Sequence, residues 1–279
     1  MNLSAMNVAE RIGISRAAVY RLEKGELVKI ETLEKIAELL DISLPSLLGV
    51  GVEYYSNAIA FFERMRQLEQ NVFHVTGNFS PFSFLLVSDA YMDHLRAMLV
   101  EAIPGGAEDR KKTVDYIDRT LGILQERRLA AARKRTPVAS IVGVQDIERF
   151  LRMGLVGRFG LPPEVQAERR AEARAEVERL LALFRRPPLG VQLGIVEDTP
   201  ATQTFQILET RDGAVVTLSP YRLGDQPNVS SGIAMITSAP EAVRLFKDNL
   251  TAQWERAHKG ESGAEILLRV LERTADERS

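Results

Sequence analysis

Cysteine is missing altogether from the 279 residues. That removes disulfide frameworks, thiolate metal sites and cysteine nucleophiles, and it agrees with a reducing compartment. Histidine is scarce: only His74, His94 and His258 occur. They follow no metal-ligand spacing, so no metal is expected. The one glycine pair ahead of a helical pattern, "EAIPGGAED", lacks the lysine and the Ser/Thr of a phosphate-binding loop, and no G-x-S-x-G elbow appears. With no catalytic set in view, the expectation is a protein that is not an enzyme, with no catalytic residues and no cofactor. No apolar run reaches the length of a bilayer, and the first residues lack the basic-then-apolar order of a signal peptide. A cytoplasmic location without a membrane partner is therefore expected. The net charge of −2 gives no global attraction to nucleic acid, so any such contact needs a local basic face.

What is present is the composition of a globular chain, 45% hydrophobic and 27% charged, which can bury a core. A chain of this length exceeds the usual span of one core, so a small and a large unit are expected.

The small unit is read over residues 1–50. Met6, Val8, Ala9 and Ile12 form one apolar helical stripe behind a possible Ser4 cap, and Gly13 ends that helix. Ser15 caps a second helix, with Ala18, Val19 and Leu22 inward and Gly25 as its stop. A third helix follows over 30–40, with Leu33, Ile36, Ala37 and Leu40 inward, and a short one over 43–49. Basic charge gathers on the first pair. Residues 4–25 hold four basic side chains (Arg11, Arg16, Arg21, Lys24) against two acidic (Glu10, Glu23), whereas residues 26–41 hold two against five.

The run "NVAERIGISRAAVYRLEKGE", continued by "TLEKIAELLDISLPSLL", resembles the DNA-binding domain of Cro/phage-repressor-like (XRE) regulators over residues 3–49. Ala9 fits the small residue of the first motif helix, Gly13 the turn, Val19 and Leu22 the buried aliphatics, and Glu23-Lys24-Gly25 the Glu-x-Gly ending. The resemblance implies a helix-turn-helix that binds double-stranded operator DNA. A groove-entering helix needs long donors on its outer face, and Ser15, Arg16, Ala17, Tyr20 and Arg21 hold that face here. Arg16 or Arg21 suits guanine O6 and N7, Ala17 a thymine methyl, and Tyr20 a base edge or phosphate. Lys24 and Arg11 are placed for phosphates, as is the positive helix end at Ser15. The family has a further helix before the motif, bearing an arginine that pairs with the glutamate matching Glu23. This first family helix is absent ahead of Met1, and an upstream start is expected.

Residues 53–279 read as an α/β unit, a mixed sheet with helices. Helices are expected over 53–69, 82–101, 108–135, 145–155, 163–185, 239–258 and 261–273. Strands are expected at "NVFHVTG", "PVASIVG", "LGVQLGIVE", "TFQILET", "AVVTLSP" and "GIAMITS", with Asp212-Gly213 as a type I′ hairpin turn. The segment "SSGIAMITSAPEAVRLFKDNLTAQWERA" resembles the ending of phospholipase D-like, non-catalytic effector domains. The paired His-x-Lys motif of the enzymes is absent, which implies a ligand-binding domain.

The most site-like loop is "VTGNFSPFSF". There Asn78, Ser80 and Ser83 sit at an expected helix start, able to offer N–H groups to an anion beside Phe79 and Phe82. A capped helix start over aromatic core is the alternative. Helix 108–135 lines up Val114, Ile117, Leu121, Leu124 and Leu129 and ends in a cluster of Arg127, Arg128, Arg133, Lys134 and Arg135. It and helix 163–185 suggest a homodimer able to read two half-sites. The expectation is a transcription regulator whose larger unit senses a small-molecule effector or partner and dimerises. An enzyme fused to a DNA-binding domain and an antitoxin-like interaction module are the alternatives.

Overall fold

The computed structural model describes residues 13–24, 29–40, 52–197 and 204–276, together with Asn7, Ala9 and Leu44. The chain divides into two compact units, Met1–Glu53 with Thr237–Ala239, and Tyr54–Ile236 with Pro240–Ser279.

In the small unit, Asn7 and Ala9 have helical backbone, Gly13 takes φ +68°, and the Ile14 amide donates back to the Ala9 carbonyl at 3.1 Å. A side chain would strain that left-handed turn, so glycine stands there for a backbone reason. Helix α1 (Arg16–Glu23) follows, then α2 (Ile30–Leu40). Ala9, Val19, Ile36 and Ala37 are buried, which makes them the described core of this unit. The expected residues Ser4, Met6, Val8, Arg11, Ile12 and Gly25, the short helix over 43–49 apart from Leu44, and the side chains of Arg16, Leu22, Glu23 and Leu40 lie outside the description.

The larger unit is built on a mixed sheet. Its strands are β1 (Val52–Tyr55), β2 (Val72–Asn78), β3 (Val138–Gly143), β4 (Val191–Val196), β5 (Phe205–Thr210), β6 (Gly213–Leu218), β7 (Ala234–Thr237) and β8 (His258–Lys259), in the order β1-β7-β6-β5-β2-β3-β4-β8. Strands β2, β3 and β4 run parallel, and β5 turns antiparallel against β2. Every residue of β3 is buried, which is why "VASIVG" reads as one apolar run rather than an alternation.

Its helices among the described residues are α3 (Ala58–Glu69), α4 (Tyr91–Glu101), α5 (Arg110–Lys134), α6 (Val144–Met153), α7 (Pro163–Arg185), α8 (Pro240–Arg256) and α9 (Gly260–Asp276). Val75, Val138 and Leu208 belong to a large core with side chains from α3 to α7 and from α9. Ile141, Phe205 and Ile207 pack on the other face with Phe246, Leu250 and Trp254 of α8.

Several elements differ from the sequence reading, each for a local reason. Residues 52–55 form β1, and α3 starts later because the Asn57 side chain accepts from the Ala60 amide at 2.8 Å. The span expected as a helix from residue 82 opens with a 3-10 turn, Phe84–Leu86, and α4 begins only where Ser88 Oγ accepts from the Tyr91 amide. The β5–β6 turn is Arg211-Asp212 rather than Asp212-Gly213, since Gly213 already pairs with Thr210. Thr210 Oγ1 stitches it, accepting from the Asp212 amide and donating to the Gly213 carbonyl. His258 lies in β8, two residues past the end of α8.

The apolar stripes that suggested assembly are used within the unit. Ile117, Leu121 and Leu124 of α5 and Ala173, Val177, Leu180 and Phe184 of α7 are buried in the core, and only Leu129 stays exposed. Three of the five cations at the basic end of α5, Arg127, Arg128 and Lys134, are engaged in the same way, whereas Arg133 and Arg135 are exposed. Arg127 forms a bidentate pair with Glu69 at 2.9 and 2.7 Å, and Arg128 holds the Val87 and Ser88 carbonyls and Asp89. Lys134 donates to the carbonyls of Glu69 and Gln70 at the end of α3 and of Val72 at the start of β2. That arrangement satisfies orphan helix carbonyls with a cation where the dipole favours one.

Candidate functional site

Two places in the molecule have the makings of a site, one in each unit. In the small unit, Ser15 caps α1: the Ala18 amide donates to Ser15 Oγ at 3.2 Å. Ser15 is itself exposed. Val19 turns inward, whereas Ala17, Tyr20, Arg21 and Lys24 are exposed. Helical spacing produces this division, since residues 17, 20, 21 and 24 share one face and Val19 lies opposite. One face of α1 thus carries two cations, a phenol and a methyl group. The Arg16 side chain and Arg11 lie outside the described residues.

In the larger unit, Phe79, Ser80, Phe82 and Ser83 line one cavity of about 70 Å³ beyond the end of β2. The chain comes together there in a definite way. Gly77 lets the Phe79 ring fold back onto its own strand, because a Cβ at Gly77 would sit 2.5 Å from the Phe205 carbonyl oxygen and 2.9 Å from Phe79 Cζ. Phe82 meets Phe150 edge-on at 5.5 Å between centroids. Phe61 and Phe62 of α3 both approach Tyr221 at 5.8 Å, and these three rings close the cavity from the other side. Burial, with a smaller contribution from Tyr116, pushes the Tyr221 hydroxyl up to about 12, so it remains a donor at any ordinary pH.

Asn78 does not join this lining. It is paired across the sheet with Phe205 and Ile141, which places it on the α8 face, and its Oδ1 is buried with no partner among the described residues. The helix start expected to offer amides to an anion is only the three-residue 3-10 turn, capped by Ser83.

Beside the cavity lies a polar cluster that the sequence did not announce. Ser80 Oγ donates to Asp146 Oδ1 at 2.8 Å, and Arg149 reaches Ser80 Oγ at 3.3 Å, Asp146 at 3.5 Å and Asp225 at 3.3 Å. Asp146 Oδ2 has no partner among the described residues. Burial holds the Asp146 carboxyl above the ordinary carboxylate range. The Ser80 hydrogen bond and Arg149 pull it back down, and Asp225 adds to the rise.

A raised native pKa means that the folded chain binds this proton more tightly than the unfolded one. Ionisation therefore erodes stability as the pH climbs from the usual aspartate value through the raised one. Asp146→Asn is expected to melt above the wild type at neutral pH, with the gain shrinking to nothing below the usual aspartate pKa. A gain that is the same at every pH, or a loss at pH 7, refutes this.

A second cavity, of about 150 Å³, lies between the ends of α3 and α5. Its charged lining groups are already engaged, Arg66 with Glu63, Arg127 with Glu69, and Lys134 with backbone carbonyls. Among the described residues no group of three or more His, Cys, Asp or Glu could hold a metal ion, and no helix is long and apolar enough to cross a membrane.

Comparison with known proteins bears on the small unit. Residues 1–47 match the Helix-turn-helix family, in agreement with the resemblance to XRE-type regulators, and the match supports a DNA-binding role. The sequence matches no curated protein. Among solved structures, one similar chain is the archaeal chromatin protein TrmBL2, whose structure is described as showing a novel mode of DNA binding. It has 12% identity, covering 92% of this chain and 88% of that one, with a TM-score of 0.33.

Proposed function

We propose that the protein is a sequence-specific, one-component transcription regulator. The small unit reads operator DNA, and the larger unit binds a small molecule and shifts DNA affinity through linkage. The observation that carries the reading is the exposed face of α1. A helix capped at Ser15 within a helix-turn-helix match presents Ala17, Tyr20, Arg21 and Lys24 outward. Arg16 and Arg21 are assigned to guanine edges, Ala17 to a thymine methyl, Tyr20 to a base edge or phosphate, and Ser15, Lys24 and Arg11 to the backbone.

The protein works as a homodimer, since one short helix spans one half-site and specificity needs two. It acts in the cytoplasm, uses no cofactor and performs no catalysis. Footprinting the full-length chain on the DNA upstream of its own gene, at several salt concentrations, tests the reading. The expected result is a protected two-fold-symmetric site whose affinity falls steeply with salt. No protected site, or an affinity indifferent to salt, overturns it.

A further inference from the structure

The cavity beyond β2 carries a charge pattern that the sequence reading did not contain. Its lining includes two guanidinium side chains, Arg127 and Arg222, and no carboxylate. Arg127 is neutralised by its bidentate pair with Glu69. Arg222 is exposed, and its side chain has no hydrogen bond or ion pair among the described residues. The loop holds it in place by its backbone, through the paired bonds between Arg222 and Asn228 at 3.0 and 2.9 Å. The rest of the wall combines aromatic rings, among them Phe61, Phe79 and Tyr221, with neutral polar residues, among them Thr204, Gln206 and Ser219.

A chamber of aromatic rings and neutral polar groups with one uncompensated cation selects a molecule that is apolar at one end and anionic at the other. Apolar burial supplies the bulk of the affinity, and a charge-assisted contact supplies orientation and specificity. The volume of about 70 Å³ holds about five to seven groups of the size of water, at one per 10–15 Å³. The apolar body is therefore small.

We propose that this cavity binds a small organic carboxylate whose short aliphatic body enters the aromatic chamber while its carboxylate meets Arg222. The inference rests on the reading of the larger unit as an effector-binding domain and names the chemistry of that effector. Isovalerate and butyrate are the probes, with isopentylamine and 1-butanol as their cationic and neutral matches, titrated calorimetrically into the full-length protein.

The acids are expected to bind and the matches not to bind. Arg222→Ala should weaken the acids by about tenfold or more, the scale of one lost hydrogen bond to a charged group. Arg211→Ala, which removes an exposed cation at the β5–β6 turn, should leave them unchanged. Because Arg222 is exposed, its variant should melt with the wild type, so that lost binding is not lost folding. No binding of either acid at millimolar concentration, equal binding of the amine or alcohol, or unaltered binding by Arg222→Ala each overturns the proposal. Operator affinity is measured in parallel. Acid that binds without changing it supports the ligand class and overturns the effector reading, whereas failure of the acids to bind leaves the footprint result intact.

Discussion

Arg127→Ala is expected to destabilise the larger unit by about 3–5 kcal/mol, the usual cost of stripping one partner from a buried ion pair. The Arg127 side chain is only 5% exposed and that of Glu69 15%, so the carboxylate left behind has little water to turn to. The guanidinium also lies over the Phe62 ring, 5.4 Å from its centroid, and lines both cavities, so packing is lost along with charge. The double variant Arg127→Met, Glu69→Leu should recover most of the loss, because a well-packed apolar pair replaces a buried ion pair at little net cost. Urea unfolding of the three proteins checks this. A loss below about 1 kcal/mol for the single variant would place the pair among surface bridges, whose contribution is of that size.

Arg21→Ala is expected to reduce operator affinity by about 1–3 kcal/mol, or roughly 5- to 150-fold, and to relax preference at one base pair of each half-site. Lys24→Ala should instead weaken operator and unrelated DNA alike and reduce the slope of log affinity against log salt by about one. Both side chains are exposed, so neither change should alter melting. Binding measured on operator and scrambled duplexes over a salt series separates the two effects. If Arg21→Ala weakens both duplexes equally, the residue contacts phosphate and α1 lies in the groove in a different register.

Where local chemistry decides local conformation, the sequence was legible. Ser15 as cap, Val19 inward and Gly13 in the left-handed turn follow from propensities that act over four or five residues. The strands at 138–143 and 191–196 and the pairing of 205–210 with 213–218 were equally readable from runs and alternation. Legibility ended where two local signals competed. Apolar residues at helical spacing ran back to residue 53, yet the Asn57 cap starts α3 later, and the chain before it pairs as β1. The aromatic run after residue 78 looked like a helix start, but its rings are turned into the cavity and the helix waits for Ser88.

For the candidate sites the division is sharper. The outward face of α1 is a property of one helix, and periodicity alone determined which of its residues point to solvent. The cavity and its polar neighbour are properties of the folded chain. Asp146 and Arg149 lie one helical turn apart, but Ser80 and Asp225 reach them across intervals of 66 to 76 positions, and no spacing rule connects those. The same holds for charge. The basic run at the end of α5 stands out as a cluster in sequence, yet packing engages Arg127, Arg128 and Lys134 in pairs and caps, while Arg222, in an unremarkable loop, has no side-chain partner among the described residues. Sequence alone determined which face of α1 is turned to solvent, because a helix carries its own geometry. Only tertiary structure decided which cations remain free, because neutralisation depends on neighbours that folding brings from far along the chain.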